Sequence, residues 1–368
     1  MTQSNQPMLE IRQVSKQFGG LDAVKEVNLS INKGEIFALL GGSGCGKTTL
    51  LRMLAGFETP SAGAIFIDGE DISQVPPHRR PVNMMFQSYA LFPHMTVAQN
   101  VAFGLKQEKK HRLSKPEIAN KVAELLSLVR MQDFAERKPD QLSGGQRQRV
   151  ALARSLAKKP KVLLLDEPMG ALDKKLRSEM QLEVVDIIEA VGVTCVMVTH
   201  DQEEAMTMAN RISVMHEGEI MQVGTPSEIY EFPNSRHTAE FIGSVNIFDA
   251  EVTQLETHYS GLTCSDFTVP IQVEAGINAP IGAKLAVAVR PEKIIMSRQQ
   301  PEAMSNWLTG VVEDIAYLGG HSVYYVKLSN GKRVMSVGTN NDRHEQKVTW
   351  QDQVYLHWSN TSAVVLYQ

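Results

Sequence analysis

The sequence is poor in cysteine, has a small net charge for its length and lacks a long apolar run. Its 368 residues include three cysteines, at the widely spaced positions Cys45, Cys195 and Cys264. An odd number at this spacing argues against a disulfide framework or a zinc site and is typical of a protein in a reducing cytoplasm. No stretch approaches about 18 consecutive apolar residues, which argues against a membrane-spanning helix.

The charge pattern and the N-terminal segment argue against two further classes of protein. The formal net charge is −4 and no segment is strongly basic, so the sequence lacks the electrostatic signature of a nucleic-acid-binding protein. The first ten residues are polar and contain no apolar stretch of the kind found in secretory signals. If the protein works at a membrane, we expect another protein to hold it there.

The apolar pattern of the first two thirds predicts an α/β domain. Residues 9–18 and 24–31 alternate apolar and polar side chains, as half-buried antiparallel strands do. Unbroken apolar runs at residues 36–40, 162–165 and 195–199 instead predict strands that are buried on both faces of a parallel sheet. We also predict a helix from about residue 47, helices between 96 and 139, a helix over residues 174–191 and a hairpin that turns at Glu217 and Gly218.

The last third of the sequence has a different texture, in which short strands alternate with turns. Residues 284–289 and 322–328 are typical of such strands, and a turn follows at residues 329–331. Several short strands at this spacing predict a small, OB-type β-barrel. We therefore predict two domains, one at residues 1–240 with a helical subdomain at about 90–155, and an all-β domain at residues 241–368.

A glycine-rich segment follows the predicted strand at residues 36–40 and has the G-x-x-x-x-G-K-[ST] pattern. Glycine lets backbone N–H groups surround a phosphate, and a following helix adds its positive end. Lys47 can reach the β- and γ-phosphates, and the Thr48 hydroxyl can bind Mg²⁺. A glycine-rich turn with a chance lysine is the alternative, but the strand and helix on either side favour a nucleotide site. The pattern consists of Gly41, Gly42, Ser43, Gly44, Cys45, Gly46, Lys47 and Thr48.

Two acidic residues, Asp166 and Glu167, follow the predicted buried strand at residues 162–165. Parallel sheets bind ligands at the carboxyl ends of their strands. Asp166 is therefore suited to hold Mg²⁺, and Glu167 is our candidate for the base that activates water. His200 ends another predicted strand at the same edge, and we assign it to the γ-phosphate and to Glu167. A solvent-exposed acidic turn is the alternative, but the phosphate loop favours hydrolysis.

The motif Leu142-Ser143-Gly144-Gly145-Gln146 precedes a predicted helix at residues 147–157. Ser143 can cap that helix, and the two glycines leave N–H groups exposed as a second anion site. On this motif the chain resembles the nucleotide-binding subunits of ABC transporters, over essentially its whole length. The resemblance implies a P-loop ABC ATPase core, with antiparallel β and helical subdomains, and a C-terminal OB-type (TOBE-like) domain.

The resemblance also implies roles for individual residues, with ATP and Mg²⁺ as cofactors. Phe18 stands where an aromatic ring stacks on adenine, and Gln87 matches a glutamine that touches Mg²⁺ and relays the nucleotide state. Asp173, with Ala171 and Leu172, matches a loop that crosses between two ATP sites. Thr49 joins the phosphate-binding residues, Lys47 and His200 join Glu167 in catalysis, and Thr48, Gln87 and Asp166 hold the metal. Ser143, Gly144, Gly145, Gln146 and Asp173 contact the ATP of a second copy, which implies a homodimer.

The expected partners follow from the same resemblance. Residues 87–94 are similar to the groove in importer subunits that receives a helix of the membrane permease, although their apolar side chains could instead form ordinary core. A pair of permease subunits would place the chain at the cytoplasmic face of the inner membrane, and a periplasmic solute-binding protein would act indirectly. ABC-type ATPases of DNA repair and translation are the rivals, but this chain has neither a coiled-coil insertion nor two fused ATPase domains.

The transported solute is the least determined part of the prediction. Residues 86–97, 167–177 and 241–246 resemble the polyamine importer group, and Met169 favours that group modestly. Putrescine is the first choice, spermidine the second, and a sugar, sulfate or ferric iron the third. The alternative is a regulatory module in which the C-terminal domain senses a ligand or partner and ATP hydrolysis is secondary.

Overall fold

The computed structural model describes residues 7–107, 113–170, 173–267, 270–301, 306–341 and 348–367. The chain divides into two compact units, Met1–Pro226 and Ser227–Gln368. The predicted domain boundary at 240/241 lies after this division, and two short helices at residues 226–241 stand between the two positions. The predicted boundary therefore stays a prediction. None of the helices in the described ranges is both long enough and apolar enough to cross a membrane.

The described residues of the first unit form ten strands and six α-helices. The strands are β1 (Leu9–Phe18), β2 (Leu21–Ile31), β3 (Ile36–Gly41), β4 (Ala62–Ile67), β5 (Glu70–Asp71), β6 (Val82–Met85), β7 (Val162–Asp166), β8 (Thr194–Thr199), β9 (Arg211–His216) and β10 (Glu219–Gly224). The helices are α1 (Lys47–Ala55), α2 (Val97–Lys106), α3 (Lys115–Leu128), α4 (Gly144–Leu156), α5 (Lys174–Val191) and α6 (Gln202–Met208), with 3-10 turns at Pro77–Arg79, Gln132–Phe134 and Pro139–Gln141.

These strands form two sheets around one core. The antiparallel sheet has the order β2-β1-β4-β5, and the second sheet has the order β10-β9-β3-β8-β7-β6. Strands β9, β3, β8, β7 and β6 of the second sheet run parallel to one another, and β10 pairs antiparallel with β9. Every residue of β3 and β8 is buried, as their unbroken apolar runs predict. The α/β prediction is therefore confirmed, and β6 is a fourth site-forming strand that the sequence pattern did not reveal.

Three helices of the helical region begin with the same capping arrangement. A Ser or Thr side chain accepts a hydrogen bond from the backbone of the third helical residue, and that residue's side chain accepts one in return. The pairs are Thr96 with Gln99, Ser114 with Glu117, and Ser143 with Gln146. The third box places the start of α4 at Gly144, three residues before the predicted start, because the two glycines form its first turn and do not remain outside it.

The described residues of the second unit, together with Pro226, form two short helices and ten strands, and these strands pair antiparallel. The helices are α7 (Pro226–Glu231) and α8 (Arg236–Phe241), and 3-10 turns lie at Pro291–Lys293 and Asn360–Ser362. The strands are β11 (Asn246–Leu255), β12 (Tyr259–Cys264), β13 (Ile271–Glu274), β14 (Lys284–Val289), β15 (Ile295–Ser297), β16 (Asn306–Tyr317), β17 (His321–Leu328), β18 (Arg333–Thr339), β19 (Gln353–Trp358) and β20 (Ala363–Leu366).

Two five-stranded sheets share the core of this unit. Their orders are β13-β12-β11-β14-β20 and β15-β19-β16-β17-β18. Phe248 and Trp358 stack in the core at 6.0 Å, and Phe267 meets both rings edge-on. The all-β prediction is confirmed, since inward apolar residues alternate with outward polar ones along these strands.

Arg290 joins the helices of the second unit to its sheets. The side chain follows β14, is 5% exposed and donates hydrogen bonds to the backbone carbonyls of Ala239, Gly243, Ser244 and Tyr230. Its guanidinium also lies 4.3 Å from the centre of the Tyr230 ring. Burial lowers the pKa of Arg290. The planar donor group thus satisfies carbonyls that the α7–β11 connection cannot satisfy by itself.

We expect Arg290→Ala to lower the free energy of unfolding of the second unit by about 3 kcal/mol, because it leaves several carbonyls without a donor. All three tryptophans, Trp307, Trp350 and Trp358, lie in this unit, so urea unfolding followed by tryptophan fluorescence reports on it selectively. Arg333→Ala is the matched control, since that half-exposed side chain pairs with Glu313 at the surface and should cost less than about 1 kcal/mol. Equal midpoints for the two variants would contradict this role of Arg290.

Candidate active site

Four neighbouring parallel strands end at the same edge of the second sheet, and each delivers a predicted site residue. Strand β3 leads into the phosphate loop, β7 ends at Asp166, β8 is followed by His200, and β6 is followed by Phe86 and Gln87. The four strands are adjacent in the order β3-β8-β7-β6. Residues that are up to 159 positions apart between Gly41 and His200 therefore lie along one edge, as expected for a parallel sheet.

The phosphate loop is shaped by its glycines. Gly46 has φ 104°, and a Cβ on it would lie 2.3 Å from the carbonyl oxygen of Ala23, so no other residue fits this position. Helix α1 begins at the next residue, and no side chain caps its N-terminus. Ser43 and Thr48 are exposed and Thr49 is half-buried. The loop thus presents a helix N-terminus and two hydroxyl groups to the solvent.

Lys47 is the buried positive charge of this loop. Its residue is 6% exposed, and Nζ donates to the carbonyl oxygens of Gly41 at 2.7 Å and Gly42 at 2.8 Å, with Cys45 Sγ at 3.5 Å. The described residues give it no carboxylate partner. A buried ammonium group that is bonded only to neutral oxygens is suited to bind an anion. Such a site fits the phosphates of a nucleotide.

Glu167 lies between two of the other predicted site residues. Its Oε2 accepts a hydrogen bond from Gln87 Nε2 at 2.7 Å, and its Oε1 lies 3.0 Å from His200 Nδ1. The residue has φ 47°, a left-handed conformation that costs a non-glycine residue about 1 kcal/mol. Its N–H is held by the Val198 carbonyl of β8. The backbone turn therefore aims this carboxylate at Gln87 and His200.

Asp166 is the last residue of β7 and is partly exposed. Burial raises the pKa of its carboxyl, the neighbouring charge of Glu167 adds to the rise, and Arg52 opposes it. A carboxylate, the Thr48 hydroxyl and the Gln87 amide are oxygen groups of the kind that Mg²⁺ prefers. Within the described ranges, no group of three or more His, Cys, Asp or Glu side chains is arranged so that it could hold a metal ion by itself.

Phe18 ends β1 and is 45% exposed. Lys16 Nζ lies 4.8 Å from the centre of its ring and also bonds the Thr59 carbonyl. One face of an aromatic ring is thus held in place at the surface, where it can stack on a base.

The structure does not join the signature motif to the phosphate loop of the same chain. Ser143 is exposed at the start of α4, and its Oγ accepts from Gln146 N at 3.3 Å. Within the described residues, no hydrogen bond or ion pair links positions 143–146 to positions 41–49. Asp173 caps α5, with Oδ1 accepting from Leu176 N at 3.1 Å. Its predicted companions Ala171 and Leu172 lie outside the described residues.

Sequence reasoning missed a residue that fixes the segment after Gln87. Arg154 of α4 donates to the carbonyls of Tyr89 and Ala90, each at 2.8 Å, and stands 5.4 Å from the Phe92 ring. Tyr89 and Ala90 both have left-handed φ values, 60° and 45°. In the local sequence, only its position among apolar neighbours distinguishes Arg154 from the other basic residues of α4.

Two family models match parts of the chain, and known proteins resemble it over most of its length. The model described as "ABC transporter" matches residues 24–170, and the model described as "TOBE domain" matches residues 287–366. The putrescine transport ATP-binding protein PotG of Escherichia coli (strain K12) is 60% identical over 361 residues, which are 98% of this chain and 95% of that protein. The spermidine/putrescine import ATP-binding protein PotA of Trichodesmium erythraeum (strain IMS101) is 48% identical over 364 residues, 97% and 94% of the two chains.

Among solved structures, a dimeric ATP-binding cassette in a post-hydrolysis state bound to ADP and phosphate has a TM-score of 0.53 and 33% sequence identity. The match covers 60% of this chain and 99% of that one.

We expect Arg154→Ala to release the segment that follows Gln87, because two carbonyls in a strained conformation lose their shared donor. Amide hydrogen exchange at residues 88–92 should accelerate about tenfold, which corresponds to a loss of about 1.4 kcal/mol of local stability. Arg154→Lys should not restore protection, since an ammonium group lacks the planar pair of donors.

Arg130→Ala is the control for this experiment, because the Arg130 side chain is 78% exposed and pairs with Glu183 at 3.6 Å. Wild-type exchange rates at residues 88–92 in Arg154→Ala would show that Arg154 does not hold the segment.

Proposed function

Because the chain belongs to the ATP-binding proteins of ABC transporters, we propose that it binds and hydrolyses ATP to power the uptake of a polyamine, with putrescine as the first choice and spermidine as the second. One observation carries the hydrolytic part of the proposal. The Glu167 carboxylate is held between Gln87 and His200, beside the Lys47 loop at the same sheet edge. A base that is fixed on both oxygens is prepared to orient a water molecule.

The phosphate-binding residues act through fixed charge and backbone dipoles. The phosphates would lie at the N-terminus of α1, in the loop from Gly41 to Gly46, with Lys47 against the β- and γ-oxygens. Lys47 would exchange its carbonyl bonds for stronger charge-assisted bonds to phosphate. The exposed ring of Phe18 would stack on adenine.

When bound with ATP, Mg²⁺ would supply positive charge that offsets the charge of the phosphates. Thr48, Asp166 and Gln87 are the residues that would hold it. During hydrolysis Glu167 accepts a proton from the attacking water as the water oxygen bonds to the γ-phosphorus. The bond between that phosphorus and the β,γ-bridging oxygen breaks, so that ADP and phosphate are the products. His200 keeps the carboxylate oriented and faces the γ-phosphate, so that the base does not have to reorganise during the step.

A homodimer explains why the signature motif stands apart from the phosphate loop. Gly41–Thr49 of one copy would bind the phosphates, and Ser143, Gly144, Gly145 and Gln146 of the second copy would cover them with the N-terminus of α4. Asp173 would lie near the interface between the copies. The dimeric form of the similar ADP-bound cassette supports this arrangement.

The segment at residues 87–94 is proposed to receive the membrane permease. Its residues are mostly exposed or half-buried, which favours a docking surface over ordinary core. Phe86 is 38% and Phe57 is 49% exposed, and their rings are 6.1 Å apart. Exposed aromatic pairs of this kind are typical of contact surfaces. Docking on two permease subunits would hold the protein at the cytoplasmic face of the inner membrane, with a periplasmic solute-binding protein acting indirectly.

We expect Glu167→Gln to lower kcat for ATP hydrolysis by about 100-fold or more while leaving ATP binding intact, since the amide keeps the shape but cannot accept the proton. The measurement is steady-state phosphate release by the full-length protein, together with the Kd for a fluorescent ATP analogue.

Glu189→Gln, an exposed position on α5, is the control and should retain wild-type kcat. If Glu167→Gln turns over ATP at the wild-type rate, the assignment of the base is wrong.

We expect bacterial cells that lack this subunit to lose uptake of radiolabelled putrescine. A plasmid with the wild-type gene should restore it, and a plasmid with Glu167→Gln should not, because transport needs hydrolysis and not binding alone. Parallel uptake of spermidine, maltose, sulfate and ferric iron tests the other solutes. Loss of sugar, sulfate or iron uptake with normal polyamine uptake would overturn the polyamine assignment without affecting the ATPase assignment.

A further inference from the structure

Three buried polar atoms near the active site lack a hydrogen-bond partner within the described residues. They are Tyr89 Oη, Gln148 Oε1 and Glu204 Oε1. Tyr89 is 6% exposed, Gln148 is 0% exposed and Glu204 is 3% exposed. Buried polar groups are nearly always satisfied in native proteins, so a group of three such atoms requires a physical explanation.

The three side chains come from segments that carry different parts of the site. Tyr89 lies two residues after Gln87, and Gln148 lies on α4 two residues after the signature motif. Glu204 lies on α6, where its Oε2 accepts a hydrogen bond from the hydroxyl of Thr199, the residue before His200.

Met169 contacts two of these side chains, Gln148 and Glu204. Gln148 Nε2 donates to Met169 Sδ at 3.0 Å, and the backbone N–H of Met169 faces the carboxyl group of Glu204. Burial raises the pKa of the Tyr89 hydroxyl most, the charge of Arg147 opposes this rise, and the charge of Glu204 adds to it. Met169 itself is 1% exposed and follows Glu167 by two residues.

We propose that Tyr89, Gln148 and Glu204 form one buried hydrogen-bonded junction, closed by a single enclosed water, which makes Glu204 a positioning residue for ATP hydrolysis. Buried waters typically make about three hydrogen bonds to protein groups that would otherwise be unsatisfied, and three such atoms are present here. The junction ties the segment after Gln87 to the signature helix and to the strand end that carries His200. The inference rests on the proposed ATPase function.

One water satisfies the three atoms when Glu204 is ionised, because the Tyr89 hydroxyl donates to the water and the water donates to Gln148 Oε1 and to Glu204 Oε1. Burial raises the pKa of the Glu204 carboxyl to about 7, and the charge of Asp201 adds to the rise. The Thr199 hydroxyl, the Met169 N–H and the charge of Arg177 oppose it. With a proton on Oε1, Glu204 supplies a second donor beside the Tyr89 hydroxyl, and Gln148 Oε1 accepts. Arg147 is the remaining charged group that faces the junction, through its interaction with Tyr89.

The first test compares Glu204→Gln with Glu204→Ala in the full-length protein. An amide can both donate and accept, so Glu204→Gln should keep kcat within about threefold of wild type. Glu204→Ala should lower kcat about tenfold, as expected for one lost buried hydrogen bond, with the KM for ATP within about twofold, because no residue of the junction is assigned to bind ATP. Glu203→Ala, at the exposed neighbouring position, is the control and should behave as wild type.

A double-mutant cycle tests whether the residues act together. Tyr89→Phe should lower kcat severalfold, and Tyr89→Phe combined with Glu204→Ala should be little worse than Glu204→Ala alone. This arm remains informative if Glu204→Ala proves too unstable, since Tyr89→Phe and Glu204→Gln preserve side-chain volume. Independent effects in the cycle, or a Glu204→Gln variant as impaired as Glu204→Ala, would overturn the junction.

Infrared difference spectra and pH-dependent unfolding test the proton itself. Wild type minus Glu204→Gln should contain the carbonyl band of a protonated carboxylic acid below pH 7, and the band should fade as the pH rises through about 7. The native state keeps this proton to about pH 7, whereas the unfolded chain loses it near the ordinary value of 4.5. The free energy of unfolding should therefore fall with rising pH across that window in wild type, and less steeply in Glu204→Gln.

Absence of the carbonyl band at pH 5 to 6 would show that Glu204 is not buried as the junction requires, and would overturn the junction. Failure of the wild-type protein to hydrolyse ATP would instead overturn the proposed function, which the junction variants do not test.

Discussion

The convergence of four parallel strand ends at one sheet edge is the constraint on which the site depends. Strands β3, β8, β7 and β6 are adjacent and point the same way, so their last residues meet although they are far apart in sequence. The strands are buried because helices and a second sheet cover both faces, and their buried backbones are satisfied by neighbouring strands. A polar group at a strand end can therefore be placed firmly without a loop of its own. Reversal of any one of these strands would move its site residue to the opposite edge.

The charged side chains at this sheet edge differ in how deeply they are buried. Lys47 is buried against carbonyl oxygens, whereas Asp166 and Glu167 are partly exposed. A buried cation that has no carboxylate partner among the described residues is costly until an anion arrives, so Lys47 is better suited to a phosphate than to a neutral ligand. Asp166 and Glu167 must instead stay away from Lys47, because a carboxylate next to its ammonium group would compete with phosphate. Their separation on β7, one strand removed from β3 by β8, keeps the two functions apart.

The sequence predicts the strands at this edge well because each is an apolar run with a polar end, a pattern that the parallel sheet imposes. The predicted helix at residues 174–191 agrees with α5 at both ends. The G-x-x-x-x-G-K-[ST] pattern identifies Gly46 and Lys47 as residues of the loop. Strand β6 was not predicted, since Val82–Met85 is short and half-buried. The start of α4 was placed too late, because two glycines disfavour a helix locally and only the Ser143–Gln146 capping box reveals it. Glu204 could not be identified, because tertiary packing decides which of the adjacent acids Glu203 and Glu204 is buried. Arg154 could not be identified for a similar reason, since packing decides which basic residue of α4 reaches the carbonyls of Tyr89 and Ala90.

The residues that sequence reasoning missed are those that connect segments, and this follows from the size of the energies involved. Exposed ion pairs contribute less than about 1 kcal/mol each, too little to fix one segment against another when coupling between sites typically needs about 1–3 kcal/mol. Arg154, which is bonded to two strained carbonyls, and Glu204, which is buried on α6, lie in a lower-dielectric environment where one hydrogen bond reaches that range. Residues that contact the nucleotide must face the solvent to admit it. The coupling between the Gln87 segment, the signature helix and His200 must therefore lie in the protein interior, behind the residues that do the chemistry.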